Sequence, residues 1–361
     1  MSEQKAVSGV GKEAISWLFK VALLAVGIAL KIFGDSVGNV LLQTVFLVAG
    51  FVLLIKGADW FVEGASKIAD KLGIPQLIIG LTIVAMGTSA PEAAVSITAA
   101  LSGDSIDIAI GNVLGSNIMN ILLILGVSSV ICPLAVQKST KRYEIPFVIL
   151  CTAFVWTIGY FDGTIGRLDG IILLALMVCF LIYLLNLAKK GQGGVDEVEA
   201  AGENDKMWKL ILWVILGGIA IVVGSDVTVA SASFVAKSFG MSEKLIGLTI
   251  VAFGTSLPEL ITSSMAAAKK KADIAIGNIV GSNIFNLLFV LAATAVITPL
   301  PYRNGTTNFL IDNLVAIAAA VLLWFGIMNK EQKLKRGFGI LMLVCYAGYF
   351  TFLLMTGMAG A

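Results

Sequence analysis

The sequence predicts an all-α integral membrane protein, with ten core transmembrane helices in two inverted-topology five-helix repeats and an extra N-terminal helix. Three observations support this fold class. Of the 361 residues, 58% are hydrophobic and 13% are charged, and the charged share is about half the roughly 25% typical of soluble domains. Ten segments are mainly apolar over about 20 residues, the length that crosses a bilayer as a helix. The two halves of the chain also repeat each other's sequence.

The composition excludes several kinds of function. A net charge of +2 indicates no basic surface for nucleic acid, and the absence of histidine excludes His-ligated zinc, His-ligated haem and Ser-His catalysis. The four cysteines stand singly in apolar stretches without CxxC spacing, which is typical of buried small side chains. Because no nucleophile and base are paired by motif, we expect no enzyme activity. The sequence indicates neither a tightly bound cofactor nor an obligate protein partner.

Residues 1–38 form an N-terminal extension before the first core helix. The stretch from Ala14 to Phe33 is helical in pattern and mostly apolar, but it contains Lys20 and Lys31. It fits either an eleventh span or a helix lying in the membrane interface. A signal peptide is a poorer interpretation, because no small-x-small cleavage site follows the apolar run.

The ten core helices follow along the rest of the chain. A β-barrel would instead need alternating strands of about ten residues, and stretches such as 170–185 do not alternate. The predicted helices lie near residues 41–62, 75–101, 106–131, 143–161, 167–188, 207–231, 245–268, 273–298, 308–328 and 336–356.

Positive charges in the loops predict the orientation. Lysine and arginine are enriched in cytoplasmic loops of membrane proteins. They concentrate here in alternate loops, whereas the loops between these contain few. The charge rule therefore places the 190–206 loop in the cytoplasm and the C-terminus outside. The enriched stretches are 67–71, 138–142, 189–209, 269–271 and 330–336.

An internal duplication divides the chain into a first repeat at 39–189, a linker at 190–206 and a second repeat at 207–361. GLTIVAMGTSAPE, ending at Glu92, matches GLTIVAFGTSLPE, ending at Glu259, at 11 of 13 positions. IDIAIGNVLGSNIMN, ending at Asn120, matches ADIAIGNIVGSNIFN, ending at Asn286, at 11 of 15 positions. Because each repeat has five helices, the second copy crosses the membrane in the opposite sense, as is typical of secondary transporters.

Each repeat places one glutamate inside an otherwise apolar helix. A carboxylate within a membrane costs several kcal/mol and is by default a functional-site hypothesis, although a protonated glutamate can also clamp two helices together. Helical spacing puts an alanine and a threonine on the same face as each glutamate. The two matching sets are Ala85, Thr88 and Glu92, and Ala252, Thr255 and Glu259.

A proline precedes each glutamate. Pro91 and Pro258 cannot donate a hydrogen bond to the carbonyl four residues earlier, which belongs to Gly87 in one repeat and Gly254 in the other. Local unwinding is therefore expected there, with carbonyl oxygens free to face a cation. Proline kinks also occur in membrane helices without function.

The third and eighth helices add a polar stripe with residues four apart. Glycine pairs at 111 and 115, and at 277 and 281, form GxxxG patterns that allow close helix packing. We predict that the stripe provides cation ligands at Ser116, Asn120, Ser282 and Asn286, and packing residues at Asn112, Asn117, Asn278 and Asn283.

The ligand type predicts a hard cation, because every candidate group is an oxygen. Calcium takes six to eight oxygen ligands and accepts mixtures of carboxylate, carbonyl and amide, whereas magnesium requires stricter geometry and keeps its waters. Two glutamates balance either one divalent ion or two monovalent ions. Because either load neutralises the same charge, the pair of glutamates favours the exchange of one kind of ion for the other.

At these residues the sequence resembles the sodium/calcium exchanger family of the calcium/cation antiporter superfamily, in its compact prokaryotic form. GTSAPE at 87–92 and GTSLPE at 254–259 resemble the family's paired motifs, as do GNVLGSNIMN at 111–120 and GNIVGSNIFN at 277–286. The resemblance covers about residues 41–356. Proton/calcium exchangers of the superfamily usually carry GNxxE instead of GTSxPE, which favours the sodium branch.

The resemblance implies a ligand set. Glu92 and Glu259 are the central ligands, and calcium is held by them with Thr88 and Thr255. Ser89 and Ser256 are further candidates, and Asn120 and Asn286 lie between the glutamates, where some relatives carry Asp in the second repeat. For sodium, the implied sites add Ala85, Thr88 and Ser116 on one side, and Ala252, Thr255 and Ser282 on the other.

The resemblance implies a sodium-driven calcium antiporter that works by alternating access in the prokaryotic plasma membrane, with three sodium ions exchanged for one calcium. The implied partners are Ca²⁺, Na⁺ and the lipid bilayer. A proton-coupled or potassium-dependent calcium antiporter is an alternative within the superfamily. A passive cation channel is an alternative of another class.

Overall fold

A computed structural model describes residues 2–34, 38–102, 106–189, 206–240, 252–304 and 307–359. The first two helices are long and follow one another closely. Helix α1 covers Ser2–Phe33 and α2 covers Val40–Leu72. The predicted N-terminal helix is therefore present and begins earlier than residue 14, since no proline interrupts the chain before Pro75. Most of the predicted 190–206 linker, and residues 245–251 of the predicted seventh helix, lie outside the described residues.

The next helices of the first half contain two interruptions that recur in the second half. Helix α3 (Gln76–Thr88) and helix α4 (Ala90–Ser102) meet at Ser89 with a bend of 45°. Helix α5 covers 106–131 and contains a π-helical turn at Asn120–Leu125. After it come α6 at Thr140–Asp162 and α7 at Arg167–Lys189.

The second half repeats these features. Helix α8 covers Met207–Ser238. A short helix α9 (Ala252–Thr255) is separated from α10 (Leu257–Ala268) by Ser256. Helix α11 covers Ala272–Ile297 and has its π-helical turn at Asn286–Leu291, the position that matches the turn in α5. The last two helices are α12 at Leu310–Gly326 and α13 at Arg336–Ala359.

Three short antiparallel ladders connect the described loops. Each has two strands of two residues. The strands are β1 (Leu134–Ala135), β2 (Thr164–Ile165), β3 (Leu300–Pro301), β4 (Arg303–Asn304), β5 (Thr307–Asn308) and β6 (Lys333–Leu334), paired β1 with β6, β2 with β3 and β4 with β5.

Seven of the described helices are long and apolar enough to cross a membrane, or eight if the bent pair α3 and α4 counts as one span. The chain is therefore an all-α, multi-pass membrane protein. Two of the ten predicted spans are not among these: α12 is shorter at 17 residues, and the seventh predicted span is described only from Ala252 onward.

The described chain packs as two compact units that each combine segments from both halves. Unit 1 comprises Met1–Phe61 and Leu212–Gly254, and unit 2 comprises Val62–Ile211 and Thr255–Ala361. The boundary between the units falls inside helices α2, α8 and α9.

Unit 1 has an apolar core to which α1, α2 and α8 all contribute. Lys20 of α1 is buried, and its Nζ lies 3.4 Å from the centre of the Trp213 ring, a cation–π arrangement that stabilises a buried lysine. An ion pair joins Lys31 of α1 to Asp226 of α8. The core cluster consists of Leu24, Leu53, Trp60, Ala220, Val223 and Val227.

Unit 2 is built around α11, whose residues Ala272–Phe285 are all buried. A Cβ at Gly281 would lie 2.7 Å from the Leu81 carbonyl oxygen, and one at Gly277 would lie 2.8 Å from the Leu77 carbonyl oxygen. The predicted close packing through GxxxG is thereby confirmed for the second repeat. At the corresponding glycines of the first repeat, a Cβ at Gly111 would lie 3.6 Å from the ring of Phe309, and no described atom is within 4 Å of a Cβ at Gly115.

Candidate cation site

Two helix breaks in unit 2 position the glutamates. Ser89 and Ser256 have nearly identical backbone angles, with φ −86° and ψ 7° against φ −91° and ψ 3°, and neither continues the helix before it. The unwinding predicted from the prolines is confirmed at both positions. Glu92 and Glu259 consequently lie in the first turn of α4 and α10, where free N–H groups and the helix dipole favour negative charge.

Both carboxyl groups are fully buried, and each is bonded by a serine of the opposite repeat. The Ser89 hydroxyl donates to Glu259 Oε1 at 2.8 Å, and the Ser256 hydroxyl lies 3.2 Å from Glu92 Oε1. The two helix breaks are therefore joined crosswise through their carboxyl groups. Ser89 and Ser256, which the sequence ranks below the other candidates, are direct neighbours of the glutamates.

The serines of the α5 and α11 stripes differ in their contacts. Ser116 Oγ lies 3.5 Å from Glu92 Oε1 and 3.2 Å from Ser256 Oγ. Ser282 is buried and, among the described residues, its hydroxyl has no hydrogen-bond partner. Both serines are predicted ligands.

Four asparagines join α5 to α11 in a symmetric network. Asn117 and Asn283 each donate to the backbone carbonyl of the other at 3.3 Å. The Asn120 amide donates to Asn283 Oδ1 at 3.0 Å, and the Asn286 amide donates to Asn117 Oδ1 at 3.1 Å. Asn117 and Asn283, predicted only as packing residues, thus orient the two predicted ligands.

Five buried oxygen atoms of the predicted ligands have no hydrogen-bond partner among the described residues. Such groups are rare in folded proteins, and each needs an explanation such as an ion or water. Because all five are oxygens, they suit a hard cation. They are Glu92 Oε2, Glu259 Oε2, Asn120 Oδ1, Asn286 Oδ1 and Ser282 Oγ.

The remaining predicted ligands differ in their burial and in their contacts. Thr88 is buried, and its hydroxyl lies 3.0 Å from Asn278 Oδ1 and 3.3 Å from the Ala85 carbonyl oxygen. Thr255 is half-buried beside Ser256. Ala252 is the first residue of α9 and belongs to unit 1.

The carbonyl of Gly254, expected to be free, has a partner within unit 1. It accepts a hydrogen bond from the Ser225 hydroxyl at 2.9 Å. The Ser225 hydroxyl of α8 thus replaces the backbone N–H that Pro258 lacks. At most one lone pair of the Gly254 carbonyl oxygen is left for an ion.

A second layer of contacts supports the glutamate helices. Asn112 donates to the Glu92 carbonyl oxygen at 3.1 Å and to Ser96 Oγ at 3.0 Å, and Asn278 donates to Ser263 Oγ at 2.8 Å. The packing role predicted for these asparagines is confirmed. Ser96 and Ser263 are absent from the sequence-based candidates, although both lie one helical turn after a glutamate.

Among the described residues, the two glutamates are the carboxylates of the site. Across the described ranges, no group of three or more His, Cys, Asp or Glu side chains gathers in one place. A cation bound here would therefore have two carboxylates, with hydroxyl, amide and main-chain oxygens completing its coordination.

Comparison with known proteins gives matches over most of the chain. A family model described as sodium/calcium exchanger protein matches residues 42–186 and 209–355. The putative antiporter CaxA of Alkalimonas amylolytica is 41% identical over 318 residues, which cover 86% of this chain and 98% of CaxA. The sodium/calcium exchanger MaX1 of Methanosarcina acetivorans is 30% identical over 344 residues, covering 85% of this chain and 97% of MaX1.

Solved structures of similar fold agree with the sequence relatives. The sodium-calcium exchanger NCX_Mj, soaked with 10 mM Na⁺ and 10 mM Sr²⁺, superposes with a TM-score of 0.74 at 32% sequence identity. The match covers 88% of this chain and 99% of that one. The same exchanger soaked without Na⁺ and Ca²⁺ gives a TM-score of 0.75 at 34% identity, over 87% of this chain.

Proposed function

Since the chain belongs to the sodium/calcium exchanger protein family, in its compact prokaryotic form, we propose that this cation antiporter exchanges Na⁺ for Ca²⁺ through Glu92 and Glu259. Its relatives are antiporters, so the chain is a transporter rather than an enzyme. The observation that carries the proposal is the pair of buried glutamates, each with one oxygen that has no partner among the described residues.

The charge balance supports one shared site for both ions. Two carboxylates buried in a membrane protein are costly unless cations neutralise them. One Ca²⁺ or two Na⁺ satisfies the pair equally well, so loading one ion displaces the other. Ser282, Asn120 and Asn286 provide the further oxygen atoms that calcium coordination requires.

The main-chain and hydroxyl oxygens fit the peripheral sodium positions. We assign Thr88, Ala85 and Ser116 to the sodium position on one side and Ser282 to the position on the other. The contacts among Thr88, Ala85, Ser116 and Glu92, and the unpartnered hydroxyl of Ser282, support this assignment. We assign Thr255 and Ala252 to the same role by their place in the repeat. Ser89 and Ser256 hold the carboxyl groups and contact an ion through the same oxygens.

The proposed architecture has ten core helices in two inverted repeats, at 39–189 and 207–361, joined by a linker at 190–206. The matching helix breaks and π-helical turns of the two halves support it. The loop charges favour a cytoplasmic linker and an external C-terminus, in a prokaryotic inner membrane.

Alternating access requires a part that holds the ions and a part that moves. The first and sixth predicted helices, together with α1, contribute most of unit 1, whereas the glutamates and the five unpartnered oxygens all belong to unit 2. We propose that the helices of unit 1 move and that the glutamates of unit 2 hold the ions.

Calcium flux into proteoliposomes tests the proposal. Vesicles are loaded with sodium, the pH gradient is clamped, and wild type is compared with Glu92→Gln and Glu259→Gln. We expect uptake that follows the sodium gradient and is abolished in both variants. Asp312→Asn is the matched control, because Asp312 is a half-buried carboxyl on α12 that accepts a hydrogen bond from Tyr349 outside the site.

Each alternative has a distinct outcome. Uptake driven by a proton gradient and indifferent to sodium would assign the chain to the proton-coupled branch, and a requirement for potassium on the sodium side would indicate potassium-dependent exchange. Single-channel currents far above transporter turnover would indicate a channel. Full uptake by both glutamine variants would exclude the glutamates as ligands.

A further inference from the structure

A pocket of about 350 Å³ lies between helices α6 and α7 of unit 2, away from the glutamates of the exchange site. Its lining is mainly apolar and aromatic, but Glu144 and Arg142 also contribute to it. Neither residue takes part in the proposed exchange. The pocket therefore requires its own explanation.

Glu144 is the unusual feature of the pocket. It is only 1% exposed, and its Oε1 accepts a hydrogen bond from the Tyr183 hydroxyl. Its Oε2 has no hydrogen-bond partner within the described part of the chain, and no described lysine or arginine forms an ion pair with it. A buried carboxyl left in this state favours a ligand that brings a positive charge and an N–H donor.

Aromatic rings surround the approach to Glu144. Phe147 of α6 and Phe180 of α7 stack with ring centres 5.6 Å apart, and Phe180 lies 6.2 Å from Tyr183. Aromatic faces attract ammonium groups as well as apolar chains. The walls therefore suit a cationic headgroup at the bottom of the pocket and a hydrocarbon chain further out.

The mouth of the pocket faces the membrane. Both α6 and α7 are long and apolar enough to span the bilayer, and Leu150, which lines the pocket, is 67% exposed. Arg142 and Tyr143, near the helix end, are exposed on the same pocket. An exposed arginine at this level is placed to meet a lipid phosphate.

We propose that this pocket binds a phospholipid whose headgroup carries a primary ammonium. The ammonium donates to Glu144 Oε2, the phosphate pairs with Arg142, and an acyl chain lies along Phe147 and Leu150. A quaternary ammonium can make cation–π contacts with the aromatic rings, but it has no N–H to donate to Glu144. The pocket is therefore selective for phosphatidylethanolamine over phosphatidylcholine.

A headgroup series tests this selectivity. The full-length protein is reconstituted in vesicles that contain equal amounts of phosphatidylethanolamine, its N-methyl and N,N-dimethyl forms, phosphatidylcholine and phosphatidylglycerol. It is then extracted in mild detergent, and the retained lipids are measured by native mass spectrometry. We expect the N-methyl and N,N-dimethyl forms, which keep an N–H, to be retained like phosphatidylethanolamine, and phosphatidylcholine to be retained about tenfold less, the ratio expected for loss of one charge-assisted hydrogen bond.

Variants separate Glu144 from general lipid adhesion. Glu144→Gln keeps an acceptor for Tyr183 but removes the charge, so we expect the preference for phosphatidylethanolamine to disappear while phosphatidylglycerol retention is unchanged. Asp312→Asn, which alters another carboxyl bonded to a tyrosine, should keep the preference. Equal retention of the whole series by the wild type would overturn the proposal, and this result does not depend on any variant folding.

Discussion

At the residue scale, the crosswise serines are expected to tune calcium binding. Ser256 of the second repeat lies 3.2 Å from Glu92 Oε1 of the first. Ser256→Ala removes a group that fixes this carboxyl, and a hydrogen bond to a charged group contributes about 1.5–3 kcal/mol. We therefore expect the calcium concentration for half-maximal uptake to rise about tenfold in sodium-loaded proteoliposomes.

The conservative change Ser256→Thr keeps the hydroxyl and serves as the control for this prediction. It should leave the calcium concentration for half-maximal uptake within about twofold of wild type. Ser89→Ala should behave like Ser256→Ala, because Ser89 makes the matching contact to Glu259. An unchanged calcium dependence in both alanine variants would show that the serines only pack.

The site residues differ in how far the sequence could predict them. Glu92 and Glu259 are predictable because a carboxyl in an apolar segment has few structural uses. The role of Asn117 and Asn283 is not, because it depends on which helices cross and at what height. The amide of Asn120 is held by a residue 163 positions away in the chain, and spacing within one helix carries no information about such a contact.

At the element scale, the close crossing of α3 and α11 is expected to tolerate no side chain at its glycines. A Cβ at Gly281 would lie 2.7 Å from the Leu81 carbonyl oxygen and 2.8 Å from the Ala85 Cβ, so the helices would have to separate. Gly281→Ala should cost about 1–3 kcal/mol, as overpacking typically does. The measurement is the thermal unfolding midpoint in detergent, which we expect to fall by several degrees.

Gly348→Ala provides the matched control for this crossing. Gly348 lies within α13, and no described atom is within 4 Å of a Cβ built there. Alanine has the higher helix propensity, so this variant should be as stable as wild type or slightly more stable. A Gly281→Ala protein with the wild-type midpoint would mean that α3 and α11 can move apart without cost.

Some features of the helices and strands could be predicted from the sequence, and others could not. The helix breaks at Ser89 and Ser256 follow from Pro91 and Pro258, because proline removes a backbone donor wherever it stands. The π-helical turns that begin at Asn120 and Asn286 do not follow, since α- and π-helical turns use the same residue types and differ only in how the carbonyls are paired. The two-residue strand pairs are likewise too short to leave an alternating pattern.

At the scale of the whole molecule, packing and sequence divide the chain differently. The predicted duplication separates residues 39–189 from 207–361, whereas the compact units each take segments from both of these ranges. In an inverted repeat, matching helices of the two halves are expected to pack together around a shared centre. A change confined to one unit can therefore alter the stability of the protein without altering ion binding, or alter ion binding without altering stability. This holds even though both units contain parts of each repeat.

The N-terminal helix allows this separation to be measured. Helix α1 precedes the part of the chain that matches the family, which begins at residue 42, and it contributes Leu24 to the core of unit 1. The glutamates and the five unpartnered oxygens belong to unit 2.

Deleting residues 2–33 should thus lower the unfolding midpoint in detergent by about 5 °C, through loss of apolar packing, while sodium-driven calcium uptake stays within about twofold of wild type. Deleting only residues 2–12, which precede the packing contacts of Trp17, Lys20 and Leu24, should preserve both properties. If the longer deletion abolishes uptake in a protein that still unfolds cooperatively, α1 is required for transport itself and not only for the stability of unit 1.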